Sequence, residues 1–107
     1  MDAKPKTIKL YVEANGKTPF TQWLDTLRGQ KIHGIILSRN DRVAKGNFGD
    51  HHSVGKGVSE LVFDFGPGYR VYFGREGDEV ILLTGGTKGT QTKDIAEAQR
   101  MWSEYNA

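Results

Sequence analysis

Hydrophobic and polar positions alternate along Thr7-Ile8-Lys9-Leu10-Tyr11-Val12, and Asn15-Gly16 closes the run, so a strand is predicted there. The period then changes. Thr18 precedes Pro19, which suits a first helical position because no N–H is needed there. Phe20, Trp23, Leu24 and Leu27 recur at helical spacing as far as about Arg28-Gly29. A second helix is predicted from Gln30 to Lys45, with Ile32, Ile35, Ile36 and Val43 on one stripe and Gly46 as its stop. Asn40 falls on that stripe too, where an amide is costly unless hydrogen-bonded. The stretch from Gly46 to Gly57 is glycine-rich and reads as a loop. Three strands are predicted after it, Ser59–Phe65, Tyr69–Gly74 and Glu79–Thr84, joined by Gly66-Pro67-Gly68 and Gly77-Asp78. Such short connections make antiparallel neighbours. Gly85-Gly86 is expected to end the sheet. A last helix, from Thr90 to Tyr105, aligns Ile95, Ala98, Met101, Trp102 and Tyr105.

The order β-α-α-β-β-β-α predicts an α+β fold, a small and mainly antiparallel sheet with helices packed on one side, in a single domain spanning 1–107. Strand periodicity sorts the side chains. Leu61, Phe63, Phe65, Tyr69, Val71 and Phe73 are expected to form the buried face, against helical stripes that include Trp23, Ile36 and Trp102. Glu60, Arg70 and Tyr72 then share the opposite face, which is expected to be open.

Composition narrows the function classes. There is no cysteine, which excludes a disulfide framework, a thiolate zinc site and a cysteine nucleophile. The opening MDAKPKTIKLYVEANG has no long apolar run, so neither a leader nor a membrane anchor is expected, and a cytoplasmic location follows. A net charge of +2 is too small an excess to imply a nucleic-acid partner by itself. No P-loop, GxSxG, HExxH or dinucleotide fingerprint is present.

The candidate chemistry sits on the polar sheet face. Glu60, Arg70 and Tyr72 share it, His51 and His52 enter from the glycine-rich loop, and Thr87-Lys88 leaves nearby. An acid, a guanidinium, histidines and lysines on one surface suit phosphodiester cleavage, which needs a base at the ribose 2′-hydroxyl, cations for the phosphorane and an acid at the leaving oxygen. Aromatic side chains offer a base something to stack on. An ordinary cross-strand ion pair on a solvated face would place Glu60 and Arg70 in the same way, and the residues alone leave both readings open. Adjacent histidines rarely converge on one ion and no third ligand is evident, so no metal and no cofactor are expected. Gly85-Gly86-Thr87-Lys88-Gly89 lacks the spacing of a nucleotide loop and suits at most a loose phosphate contact.

Four blocks, PFTQWLDTLRG, GNFGDHHSVGKGVSEL, FGPGYRVYFG and ILLTGGTKGTQTKDIAEAQRMW, occur in an order that resembles the phage-derived branch of RelE/HigB-type addiction-module killer proteins. The resemblance implies a RelE-like microbial-ribonuclease fold and metal-independent, ribosome-dependent cleavage of messenger RNA. It further implies a helix-turn-helix, HigA-like antitoxin encoded alongside, with the ribosome and its message as the other partners and no membrane. By position, Arg70 matches the family's phosphate-stabilising arginine, Glu60 a base or base-orienting residue, and Lys88 the loop lysine. His52 stands where a basic residue that contacts RNA or moves a proton is common. His51, Lys56, Tyr72, Gln91 and Lys93 are the accompanying candidates for RNA binding. Two positions depart from the branch: Val62 stands where an arginine usually follows SEL, and Asn40 where an apolar residue is common. These departures leave open a weakened homologue that binds antitoxin or RNA without cutting, and the phage ancestry leaves open a structural or assembly protein.

Overall fold

The computed structural model describes residues 4–107; the first three residues of the segment in which no leader is expected lie outside it. The elements run β1 (Thr7–Leu10), α1 (Pro19–Thr26), α2 (Gln30–Ala44), β2 (His51–Gly55), β3 (Val58–Val62), β4 (Tyr69–Glu76), β5 (Glu79–Thr87), a 3₁₀ turn (Lys88–Thr90) and α3 (Gln91–Tyr105). Pro19 opens α1 as its spacing predicts. Gly46, at φ 89, ends α2 in the left-handed conformation, with its N–H donating to the carbonyl of Val43 at 2.8 Å. Thr87 and Thr90 form a reciprocal cap at the 3₁₀ turn that leads into α3.

The sheet has five strands in the order β1-β5-β4-β3-β2, with β1 parallel to β5 and the other pairs antiparallel. The α+β class and the mainly antiparallel pairing agree with the periodicity. One strand was not predicted: β2 lies within the stretch expected to be a loop. It is an exposed edge strand with Val54 as its lone apolar side chain, so no alternation marks it. The strand β5 also continues through Gly85-Gly86 to Thr87 rather than ending before them. Both glycines are buried within the strand. The indole of Trp23 lies against Gly85, and the Asp94 carboxylate lies against Gly86.

The arrangement of helices corrects the expected layering. Phe20, Ile32, Ile36 and Val43 of α1 and α2 pack with Leu61, Phe63, Val71, Phe73, Val80 and Leu82 on one face. Ala98 and Met101 of α3 pack with Tyr11, Val58, Tyr72, Ile81 and Leu83 on the other, and Trp102 joins them. Helices therefore cover both faces. The physical reason lies in β5, where Val80-Ile81-Leu82-Leu83 is apolar without a break and so exposes hydrophobic surface in both directions. Leu83 is the extra residue of a bulge, since Tyr72 pairs with Thr84 and Phe73 with Leu82. Phe65, expected in the core, lies beyond β3 and is 37% exposed. Asn40 is half-buried, and its Oδ1 is buried without a hydrogen-bond partner among the described residues. Among the described residues no helix is long and apolar enough to cross a membrane.

Candidate active site

Strand pairing sets the row of candidate groups. Glu60 on β3 stands opposite His52 on β2 and opposite Tyr72 on β4, and one step along, Val62 stands opposite Arg70, which in turn faces Gly86 on β5. The face they share is not open. The N-terminal half of α3 lies over it, leaving Glu60 6% and Tyr72 0% exposed. Tyr72 therefore cannot stack on an RNA base, and its expected binding role is corrected to a core position beneath α3. Its hydroxyl has no hydrogen-bond partner among the described residues, and burial, with the Glu60 charge second, drives its pKa well above the ordinary phenol value.

Glu60 and Arg70 form an ion pair across β3 and β4, with Oε2 and Nε 3.8 Å apart and both side chains largely buried. Gln91, at the start of α3, donates its Nε2 to both carboxylate oxygens, at 3.2 Å and 2.9 Å. Instead of pointing to solvent, Gln91 thus holds Glu60 in place. Arg70 Nη1 donates to the carbonyls of Gly68 and Tyr69, at 3.0 Å and 3.2 Å, which fixes the guanidinium against its own strand. Its Nε is buried without a hydrogen-bond partner among the described residues.

Arg70 lines a cleft of about 520 Å³ between the β3–β4 loop and the exit of β5. Lys88, Val62, Asp50 and Asp64 line it too, and Gly66-Pro67-Gly68 forms one wall. The exposed Lys88 is tied in by its backbone N–H, which donates to the carbonyl of Gly68 at 2.8 Å. Gly68, at φ 78, keeps this wall close: a Cβ there would come within 3.3 Å of both Arg70 and Lys88 side chains. Of the expected neighbours, Arg70 thus meets Glu60 in an ion pair and Lys88 across the cleft.

The remaining candidates separate. His52 is exposed on the Glu60 side of β2, and its Nε2 lies 2.9 Å from Asp50 Oδ1, next to the cleft. His51 alternates to the opposite face, where its ring packs on Phe48 at 5.3 Å and its Nδ1 meets the Gly49 carbonyl. Lys56 sits at the tip of the β2–β3 hairpin, at the far end of β3 from Val62 and Arg70. Lys93 is exposed on the first turn of α3.

Two contributors escaped the periodicity argument. Asp50 pairs with His52, and nothing in its local sequence marks it. Arg39 crosses from α2 to the sheet. Its Nη1 donates to the Val62 carbonyl at 2.9 Å, its Nη2 to Asp50 and Phe48 carbonyls at 2.7 and 3.0 Å, and its Nε to Phe48 at 3.2 Å. Burial lowers its pKa, with the Asp50 charge opposing. Position 39 continues the stripe Ile32-Ile36-Val43, and an arginine there needs carbonyl partners, which was the available signal.

No protein-family model matches the sequence. The chain is 45% identical over 86 residues to an uncharacterized protein of Haemophilus influenzae, an alignment that covers 79% of this chain and 87% of that protein.

Proposed function

We propose that this chain, which belongs to one family with the uncharacterized Haemophilus influenzae protein, is a cytoplasmic toxin with a RelE-like microbial-ribonuclease fold that cuts messenger RNA on the ribosome. The observation that carries this reading is that Arg70, paired with the buried Glu60, lines one cleft together with Lys88. In such a cleft the ribose 2′-hydroxyl attacks the adjacent phosphorus and the bond to the 5′-oxygen breaks. The products are a 2′,3′-cyclic phosphate and a 5′-hydroxyl end.

Arg70 and Lys88 supply cations for the phosphorane, and Glu60, itself held by Gln91, keeps the guanidinium oriented. Glu60 is enclosed beneath α3 and held by Gln91. His52 is the exposed titratable side chain beside it, and Asp50 orients its ring, so proton transfer is assigned to His52. A HigA-like antitoxin would silence the protein by covering this cleft, burying at least about 1,000 Å² in a stable complex.

A second reading is favoured by Val62, which lines the cleft directly opposite Arg70 where the resemblance leads one to expect a cation. On that reading the protein binds antitoxin or RNA without cutting. Induction in a bacterium, with and without the neighbouring helix-turn-helix gene, separates the two. The toxin reading expects growth arrest that co-expression reverses. Soluble protein that leaves growth untouched favours the second reading, and Val62→Arg should then confer arrest.

A further inference from the structure

A second cleft, of about 350 Å³, lies along α2 and shares the Phe63 wall with the cleft of Arg70 and Lys88. Lys31, Arg39 and Arg42 line it, and no carboxylate does among the described residues. The cleft of Arg70, by contrast, carries both Asp50 and Asp64. From Arg28 to Lys45 the chain has five cations against the one carboxylate of Asp41, a far denser excess than the net +2 of the whole protein.

The cations differ in what they are free to do. Arg39 is engaged with three backbone carbonyls, and its guanidinium stacks 5.0 Å over Phe63. It builds the wall. Lys31 and Arg42 are exposed and make no ion pair among the described residues, so neither charge is neutralised by a carboxylate, although the Lys31 ammonium lies over the Phe65 ring. Gly34 lies in the middle of α2, where glycine costs about 1 kcal/mol relative to alanine, and a Cβ there would meet nothing within 4 Å. Its absent side chain leaves the cleft floor open.

Phe65, 37% exposed, follows Asp64 and precedes Gly66 of the Arg70 cleft, with its ring stacked on Tyr69 at 6.4 Å and the Nζ of Lys31, from the α2 cleft, 5.6 Å from its centroid. An exposed aromatic ring beside cations without ion-pair partners is the arrangement that single-stranded nucleic acid meets in its binding grooves.

We infer that the α2 cleft is a binding site for single-stranded RNA flanking the scissile phosphate, with Phe65 stacking on a base and Lys31 and Arg42 holding the backbone. This inference rests on the ribonuclease reading, and it assigns substrate contacts that the residues of the sheet do not supply. The path runs from Lys88 and Arg70 past Phe63 and Phe65 to Lys31 and Arg42. Recognition here depends on charge and stacking and is therefore tolerant of sequence. An acidic protein segment would meet the same cations but has no use for an exposed stacking ring.

The test is a nitrogen-15 NMR titration of the whole chain with an eight-nucleotide 2′-O-methyl RNA, which cannot be cut. The expected shifts include the Gly34, Ser38 and Phe65 amides as well as those of Gly68, Arg70 and Lys88. The variant Lys31→Gln/Arg42→Gln should flatten the dependence of log affinity on log salt by about 1.4, for two lost single-strand phosphate contacts. Gly34→Glu, which adds a carboxylate to open space, should weaken binding with the same backbone spectrum elsewhere. Shifts confined to the Arg70 cleft, with the salt dependence of the double variant unchanged, overturn the inference and leave the ribonuclease reading standing. Shifts at α2 produced by a glutamate-rich peptide but not by RNA overturn it in favour of a protein partner. Absence of RNA shifts anywhere also overturns it, and growth arrest on induction then decides the ribonuclease reading separately.

Discussion

Glu60 and Arg70 pair diagonally across β3 and β4, but the carboxylate has a second partner in Gln91 and the guanidinium Nε has no hydrogen-bond partner among the described residues. The pair is therefore asymmetric. Glu60→Ala leaves a largely buried cation without its counter-charge, which costs about 3 kcal/mol. Arg70→Ala leaves Glu60 with both Gln91 hydrogen bonds and should cost less. Denaturant unfolding of the two single variants and the double variant measures the coupling, expected at about 1–3 kcal/mol. A coupling near zero would mean that the two groups do not sense each other.

Phe63 and Arg39 join α2 to the end of the sheet. Phe63 is 4% exposed within the α1–α2 core and carries the Arg39 guanidinium over its ring. Phe63→Ala should cost roughly 3–5 kcal/mol. Arg39→Lys keeps the charge but cannot reach the carbonyls of Phe48, Asp50 and Val62 together, so it should still lose about 2 kcal/mol. A lysine variant as stable as the parent in thermal unfolding would show that charge alone matters there.

Gly85 and Gly74 have no need of positive φ. Each is kept small by an indole, Trp23 over Gly85 and Trp102 over Gly74. Alanine at either position meets a ring on a buried face and should destabilise by about 1–3 kcal/mol. Gly85→Ala combined with Trp23→Leu should recover part of the loss, whereas equal losses with and without the indole would contradict this account of the glycines.

Tyr11 donates to Glu104 at 2.7 Å and so ties the segment after β1 to the end of α3. Burial, with the Glu104 hydrogen bond second, raises the phenol from about 10 to about 12. Glu104 is held below its ordinary value by the Tyr11 hydrogen bond first and the Arg100 hydrogen bond second. A raised phenol stabilises the fold fully below its unfolded value, and that contribution is lost as pH rises through the folded one. The depressed carboxylate contributes above its unfolded value and loses the contribution in acid. The stability difference between the parent and Tyr11→Phe should accordingly shrink between pH 10 and about 12. A difference that stays constant over this window would rule out the linkage.

Much of the fold was legible in the residues, and what was missed has definite causes. Pro19, the stripe of α2 and the alternation Leu61-Phe63 and Val71-Phe73 each describe a single buried face, and single faces are what periodicity reads. It could not read β2, an exposed edge strand whose pairing partner rather than its composition makes it a strand. The second layer was hidden for another reason. Tyr72 and Glu60 look polar in an alternating pattern, and only the unbroken Val80–Leu83 run marks both faces of the sheet as covered. For the site, Arg70 pairs with Glu60 on the neighbouring strand and shares a cleft with Lys88, which follows β5. The coupling of Gln91 to Glu60 joins residues 31 positions apart, a long-range contact that local pattern does not encode.

The ribonuclease reading depends most on Arg70, which lines the cleft; with Nη1 on the Gly68 and Tyr69 carbonyls and Nε buried beside Glu60, Nη2 is the nitrogen left, among the described residues, to donate a charge-assisted hydrogen bond to a phosphate there. The decisive measurement is primer-extension mapping of cut sites in a translated message after induction of the parent and of Arg70→Ala. The parent should produce discrete new ends, and the folded Arg70→Ala variant should reduce their yield by about 10²–10³. Cleavage by Arg70→Ala at the parent's rate would contradict the assignment of this cleft as the active site.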